Sequence, residues 1–249
     1  MHASFYKSLV ITGGSLLLTA GLVRAQSQIV FDNTANLVNS TPEFSFGREY
    51  GDELALAGTA RTVVGFDFAY YGNFGNTPNV GYSIRFYAND GSDAFPGTPT
   101  ALRPGSLLWE SGSQSLLNGI NSVSLSVPNV VVPDHFTWSV TFSGIDGTAG
   151  KQAALMLANP ATVGALLPGN GSLPDVIGSY EDFWKKDEPT DANSWTLYNF
   201  GFNPGDPKGN FYAKVTATPE PGVWALGVTG VALLWVGRRA SRKPSSANR

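Results

Sequence analysis

His135 is the only histidine beyond the first few residues, and it opens an alternating run, HFTWSVTFSG, directly after Pro133-Asp134. A serine nucleophile needs an imidazole held between hydroxyl and carboxylate, so His135 is the sole candidate for that role; a surface histidine at a strand end is the simpler reading. Carboxylates offer a second chemistry. Glu181, Asp182, Asp187, Glu188 and Asp191 crowd SYEDFWKKDEPTDANSW, from Ser179 to Trp195, and glycoside hydrolysis needs two such groups about 5 to 10 Å apart across a cleft. A charge run of this kind is more often a solvated loop, and the segment reads as one long charged loop. Hard-cation binding is a third option: YANDGSDAF sets Asn89, Asp90, Ser92 and Asp93 around Gly91, oxygen donors of the sort Ca²⁺ takes. The stretch lacks the ligand alternation and distal Glu of an EF-hand, and Asn-Asp-Gly is also a common hairpin sequence, which leaves calcium open at Asp90 and Asp93. No other metal and no cofactor is implied. Sugar stacking is a fourth possibility, through Trp184 or Tyr180 in the charged loop, whereas Trp109, Trp138 and Trp195 lie on strand-like segments and are expected in the core.

The elements that must carry these residues read as strands. VGFDFAYY from Val64, VGYSIRFYA from Val80, NSVSLSVP from Asn121, HFTWSVTFSG from His135, WTLYNFG from Trp195 and NFYAKVTAT from Asn210 alternate aromatic or branched residues with polar ones. In the fourth run Phe136, Trp138, Val140 and Phe142 share one face and Thr137, Ser139, Thr141 and Ser143 the other, the pattern of a half-buried strand with one solvated face. The third run sets Val123, Leu125 and Val127 against serines in the same way. Asn-Asp-Gly at 89, Pro-Gly at 96, 104 and 168, Asp-Gly at 146 and Asn-Gly at 170 punctuate the runs with turn signals. Helical periodicity is confined to the two ends of the chain, and no internal repeat is found. Many short strands with polar outer faces predict an all-β body over 26–218, an antiparallel β-sandwich of jelly-roll type.

Charge and cysteine usage narrow the function classes. The whole chain carries a formal charge of −3, but residues 26–218 hold nine Lys and Arg against 18 Asp and Glu, a charge of −9. Such a body repels nucleic acid and anionic lipid, and nucleic-acid partners are not expected. Cysteine is absent, which excludes disulfides, thiol nucleophiles and thiolate metal sites together. Stability must come from burial.

Both ends carry apolar segments. Lys7 precedes a mostly apolar stretch, Leu9 to Val23, and Val23-Arg24-Ala25 presents the small or apolar residues that signal peptidase reads, so residues 1–25 read as a signal peptide cut after Ala25. Near the other end Val223 to Gly237 is uncharged over 15 residues, which as a helix would span roughly 22 Å, short of the twenty or so residues of an ordinary span. Trp224 and Trp235 near its ends suit membrane interfaces, and Arg238, Arg239, Arg242 and Lys243 follow, the excess that positive-inside topology leaves in the cytoplasm. Ahead of it stands Pro219-Glu220-Pro221. Two prolines fix φ, remove two amide donors and push the preceding residues toward extended backbone, which would hold one carboxylate at a set height above the membrane.

Pro219-Glu220-Pro221, Gly222, the apolar stretch and the terminal arginines, together with the N-terminal signal peptide, resemble the PEP-CTERM sorting signal of exopolysaccharide-producing Gram-negative bacteria. The resemblance covers Pro219 to Arg249; Thr218 stands where many members have Val. It implies that an exosortase, a membrane-embedded cysteine-dependent enzyme, recognises Pro219, Glu220 and Pro221. Residues 223–237 would then be a transient anchor in the inner membrane and Arg238 and Arg239 the stop. GDELALAGTARTV and PDHFTWSVTFSG likewise resemble body segments of such sorted proteins. The expectation is an exported, non-enzymatic surface or extracellular-matrix protein that meets exopolysaccharide; the alternative is a lectin-like β-sandwich that binds it.

Overall fold

The computed structural model describes residues 26–38, 47–94, 102–148, 150–158, 160–167, 176–188, 190–191, 194–200 and 208–220. The signal peptide with Ala25, Pro221, the apolar segment 223–237 and Arg238 and Arg239 lie outside them. In chain order the strands are β1 (Gln28–Asp32), β2 (Leu37–Val38), β3 (Glu49–Ala55), β4 (Thr62–Asn73), β5 (Gly81–Ala88), β6 (Leu107–Glu110), β7 (Gln114–Ser115) and β8 (Gly119–Val131). They continue as β9 (His135–Ser143), β10 (Gln152–Leu155), β11 (Leu157–Ala158), β12 (Leu166–Leu167), β13 (Val176–Ile177), β14 (Phe183–Lys186), β15 (Trp195–Tyr198) and β16 (Ala213–Thr218). Among the described residues the one helical piece is a 3-10 turn at Thr34–Asn36, and no helix is long and apolar enough to cross a membrane.

The chain is all-β, and every strand pair among the described residues is antiparallel. Each alternating run of the sequence contains a strand. The smaller of the two main sheets has five strands: β1, β16 and β4 lie side by side, β8 runs along the far edge of β4, and β10 follows β16 along the near edge. The larger has seven, in the order β15-β14-β3-β9-β5-β6, with β7 also paired to β5. Two short pairs, β2 with β11 and β12 with β13, stand apart.

Aromatic alternation builds the core between these sheets. Phe66, Phe68 and Tyr70 of β4 point the same way because strand side chains repeat every second residue. Across from them the Phe66 ring lies 5.2 Å from Phe86 and 5.0 Å from Trp138, Phe68 lies 5.3 Å from Tyr82, and Tyr70 lies 6.2 Å from Phe142. Those spacings fall in the attractive range for tilted and edge-to-face rings. β16 closes the smaller sheet, and a clasp holds it there: Asn33 Nδ2 donates to the Phe211 carbonyl at 2.8 Å while the Ala213 N–H donates to Asn33 Oδ1 at 2.7 Å. Asn33 is buried and so satisfies two backbone groups that water cannot reach.

One expectation about β9 fails. Its polar face is solvated only toward its end: Thr137 and Ser139 are both 0% exposed, Thr141 is half-buried and Ser143 is exposed. Neighbouring strands bring long side chains over those hydroxyls, and the connection after β5 folds back on them, with Thr137 Oγ1 donating to Asn89 Oδ1 at 2.7 Å. On β8 the pattern holds as read, with Ser122, Ser124 and Ser126 exposed and Val127 buried.

Candidate functional site

The chemistry-bearing side chains converge on β3, EYGDELA, all seven residues of which are buried. Its register with β9 sets Glu49 opposite Thr141, Gly51 opposite Ser139 and Glu53 opposite Thr137, while Tyr50, Asp52 and Leu54 face the core beside Val140, Trp138 and Phe136. Three acids thus leave one strand in two directions. Gly51 is required here, because a Cβ would sit 2.6 Å from the Trp138 carbonyl oxygen.

Glu49, 3% exposed, accepts a short hydrogen bond from Ser139 Oγ and another at 3.0 Å from the Tyr87 hydroxyl, with Arg85 Nη1 at 3.2 Å. Arg85 also reaches Glu110 at 2.8 Å and donates to Thr141 at 2.9 Å. Burial first, and the Glu49 charge second, raise the Tyr87 phenol far above its ordinary value, so it stays a donor. A buried charge is tolerated only when paired and hydrogen-bonded, and Glu49 is both.

Asp52 points the other way, into the core. Ser179 Oγ donates to it at 2.8 Å and the Phe211 N–H at 3.0 Å. Burial outweighs these bonds and raises the carboxyl pKa well above its ordinary value. Ser179 Oγ also lies 3.2 Å from Asn210 Oδ1, so this acid ties the segment before β14 and the approach to β16 onto β3.

Glu53 joins the two body segments singled out in the sequence. His135 Nδ1 lies 3.6 Å from Glu53 Oε1, and that partnership, opposed by partial burial, raises the imidazole pKa above its usual value. Asp182 is pushed up to about 7, by burial first and by the Glu53 charge next. The chain at Gly209 packs on its backbone, where a Cβ would lie 2.8 Å from the Asp182 carbonyl carbon.

His135 stands at a strand end, 43% exposed, as the simpler reading has it, and among the described residues no serine or threonine hydroxyl is hydrogen-bonded to it. The buried serines of the network are turned to other acids, Ser179 to Asp52 and Ser139 to Glu49. Of the carboxylates considered for glycoside chemistry, Glu181 pairs with Lys208, Asp182 is half-buried, and Asp187 lies 2.8 Å from Arg48 and 2.9 Å from Lys185. Glu188 and Asp191 form a turn through an N–H to carbonyl bond of 3.1 Å. In the Asn-Asp-Gly turn Asp90 is occupied, accepting from the Ser106 N–H and hydroxyl at 2.7 Å each. Ser92 Oγ accepts from Arg103 at 3.1 Å, and Asp93 bridges to Leu102 through its backbone. Among the described residues no group of three His, Asp or Glu could hold a metal ion.

The reading of Trp184 as an exposed ring is overturned. The charged segment is not one loop: Phe183–Lys186 is strand β14, inserted between β3 and β15, and Trp184 is 1% exposed. It packs with Tyr87 and Trp195 in a small second core on the outer side of the larger sheet, and the Lys186 ammonium stands 5.5 Å from the Trp195 ring centre. Tyr180 is half-buried, as is Trp109, whereas Trp138 and Trp195 are core residues as expected. The Glu49–Arg85–Tyr87 network escaped the sequence reading; its one signal was the same-face spacing of Glu49 and Glu53 in a chain poor in charge.

At the far end of the chain β16 stops at Thr218, after which Pro219 is half-buried and Glu220 exposed. Gln28 pairs with Ala217 and Thr62 with Thr218, so residue 26 and Pro219 emerge side by side. No family model matches this sequence, and neither a curated protein nor a solved structure is significantly similar to it.

Proposed function

We propose that this chain is an exported surface or matrix protein, non-catalytic, delivered through the PEP-CTERM-like signal at its end. The observation that carries the reading is the position of the last strand. The sheets close at Thr218, one residue before Pro219, so loss of everything from Pro219 onward removes no described strand. The pairing of Gln28 with Ala217 adds support, because a signal peptide and a C-terminal anchor leaving the same end of the body can occupy the same membrane without threading around it. The segment from Pro219 to Gly222, extended, reaches roughly 13 Å, enough to expose a motif to an inner-membrane exosortase but not to lift the body far from the surface.

The body is read as a jelly-roll sandwich. Taking β1, β3, β4, β5, β6, β8, β9 and β16 as strands one to eight, the smaller sheet runs one-eight-three-six and the larger two-seven-four-five, the pairing of two interlocked Greek keys. The segment between the seventh and eighth strands carries β10 to β15, of which β14 and β15 widen the larger sheet. An exopolysaccharide partner would have to be met by surfaces other than Trp184. Support for a non-catalytic body is the way its acids and hydroxyls are spent on one another around β3. The test is the mature C-terminus: replacing Pro219, Glu220 and Pro221 by Ala should leave export and folding intact but retain the tail and the membrane fraction. A native product that still ends at Arg249 by mass spectrometry would sink the sorting proposal.

A further inference from the structure

β8 is the longest of the described strands, 13 residues, and it forms one edge of the smaller sheet. Among the described residues it has no strand partner apart from β4, and none of its backbone groups from Ile120 to Val131 is hydrogen-bonded to a further strand. The other sheet edges are managed. β6, β10 and β15 are four residues each and β7 two, while the outer edge of β1 is occupied, with Asp32 N–H donating to Val163 O at 2.9 Å and Ala57 N–H donating to Val30 O at 2.8 Å. Natural edges are usually blunted by shortness, lysine, proline or a bulge. β8 defers its guards to its last third, where the register slips and Pro128 and Asn129, at φ 55°, bend the strand; from Ile120 to Ser126 it has none.

Its surroundings say what would fit. In a body of charge −9, β8 carries no charged residue, so it is where another acidic body could approach at least cost. Ile120, at 61% exposure, stands out from one end and Val131, at 57%, from the other. Val123 and Leu125 face the core side yet remain half-buried, and among the described residues it is β6 of the facing sheet, not a further strand of their own, that comes near β8. An antiparallel neighbour related by a two-fold axis normal to the sheet opposes residues of equal parity. Paired over Ile120–Ser126, Ser122 would then meet Ser124 and Ser126 meet Ile120, while Val123 would meet Val123 and the apolar face would continue.

We propose that a second copy of this chain pairs antiparallel with the free edge of β8 over Ile120–Ser126, joining two smaller sheets into one. The full chain in mild detergent is the material to test, by light-scattering mass and by single-cysteine crosslinking, which the absence of native cysteine makes clean. A dimer is expected, its Kd raised at least about tenfold by Ser122→Lys, Ser124→Lys and Ser126→Lys together, since like charges would oppose each other across the new pair. These serines point to solvent, so the lysines leave the fold intact, which thermal unfolding checks. Of the variants Ser122→Cys, Ser124→Cys and Ser126→Cys at least one should form a disulfide dimer under mild oxidation, while Ser113→Cys, exposed on the larger sheet's side, should not. A monomer at about 100 µM, a concentration where even a weak pair would register, overturns the proposal. So does a dimer indifferent to the lysines, or crosslinking no faster at the β8 serines than at Ser113→Cys.

Discussion

β8 and β9 are written in the same code, serine or threonine alternating with apolar residues, yet one presents its hydroxyls to water and the other buries them. The difference lies in the neighbours. Outward on the smaller sheet, Ser122, Ser124 and Ser126 stand opposite Ala69, Asp67 and Gly65, side chains too short to cover anything. Outward on the larger sheet, Thr137, Ser139 and Thr141 are flanked by Glu49 and Glu53 from β3 and by Arg85 and Tyr87 from β5. Glu49 accepts from the Ser139 hydroxyl and Arg85 donates to that of Thr141, while Tyr87 packs against the Trp184–Trp195 layer above. Alternation decides which residues share a face; the length and charge of adjacent side chains decide whether that face is wet.

Substitutions on the two faces should separate accordingly, with stability read from chemical denaturation of the full chain. Trp184→Ala should cost about 3 to 5 kcal/mol, the cavity cost of a fully buried aromatic; a loss under about 1 kcal/mol, the scale of a surface change, would return the ring to solvent. Glu49→Ala should cost about 3 kcal/mol, the low end for breaking a buried ion pair because Arg85 keeps Glu110, and Arg85→Met in the same background should recover part of it. Asp182→Asn works in the opposite sense. A carboxyl whose folded pKa is raised to about 7 favours the fold below its unfolded value, near 3.9, and that favour is lost as pH rises through 7. The raised value at His135 acts in the same direction, its contribution full below the unfolded imidazole pKa and lost as pH climbs through the folded one. Stability should therefore fall from pH 4 to pH 7, and Asp182→Asn should gain about 2 kcal/mol at pH 8, less than the full charge penalty because the amide is also desolvated, and flatten that slope. Smallest of all, Ser124→Ala should change stability by under about 0.5 kcal/mol, whereas Ser139→Ala, which strips a donor from buried Glu49, should cost about 1 to 3 kcal/mol. Equal effects at the two serines would erase the contrast between the sheets.

The fold was legible where alternation was strong and charge sparse. VGFDFAYY, VGYSIRFYA and HFTWSVTFSG became β4, β5 and β9, the strands whose rings fill the core. β3 was not, because Asp52 interrupts the apolar side of EYGDELA and looks like a turn residue unless a buried serine and an N–H are known to wait for it. β14 was hidden for a related reason: FWKK alternates only if Lys186 is allowed under the Tyr87 and Trp195 rings, a placement set by residues far away in sequence. The same distance hid the candidate site. Glu49, Arg85, Tyr87 and Ser139 come from three strands, and nothing local in any of them announces the others.

The clasp at Asn33 has a consequence in time. Asn33 and Ala213 are 180 residues apart, and among the described strands β1 lies beside β16 alone in its sheet. The first strand to emerge therefore waits for the last, and closing so long a loop is the kind of step that makes β-rich chains slow. Until Ala213–Thr218 slides in beside β4, the inner edge of that strand is bare along Thr62–Phe68. In a chain exported as proposed, this seam would stay open until the final strand is delivered, and folding would coincide with the arrival of Pro219 at the far side.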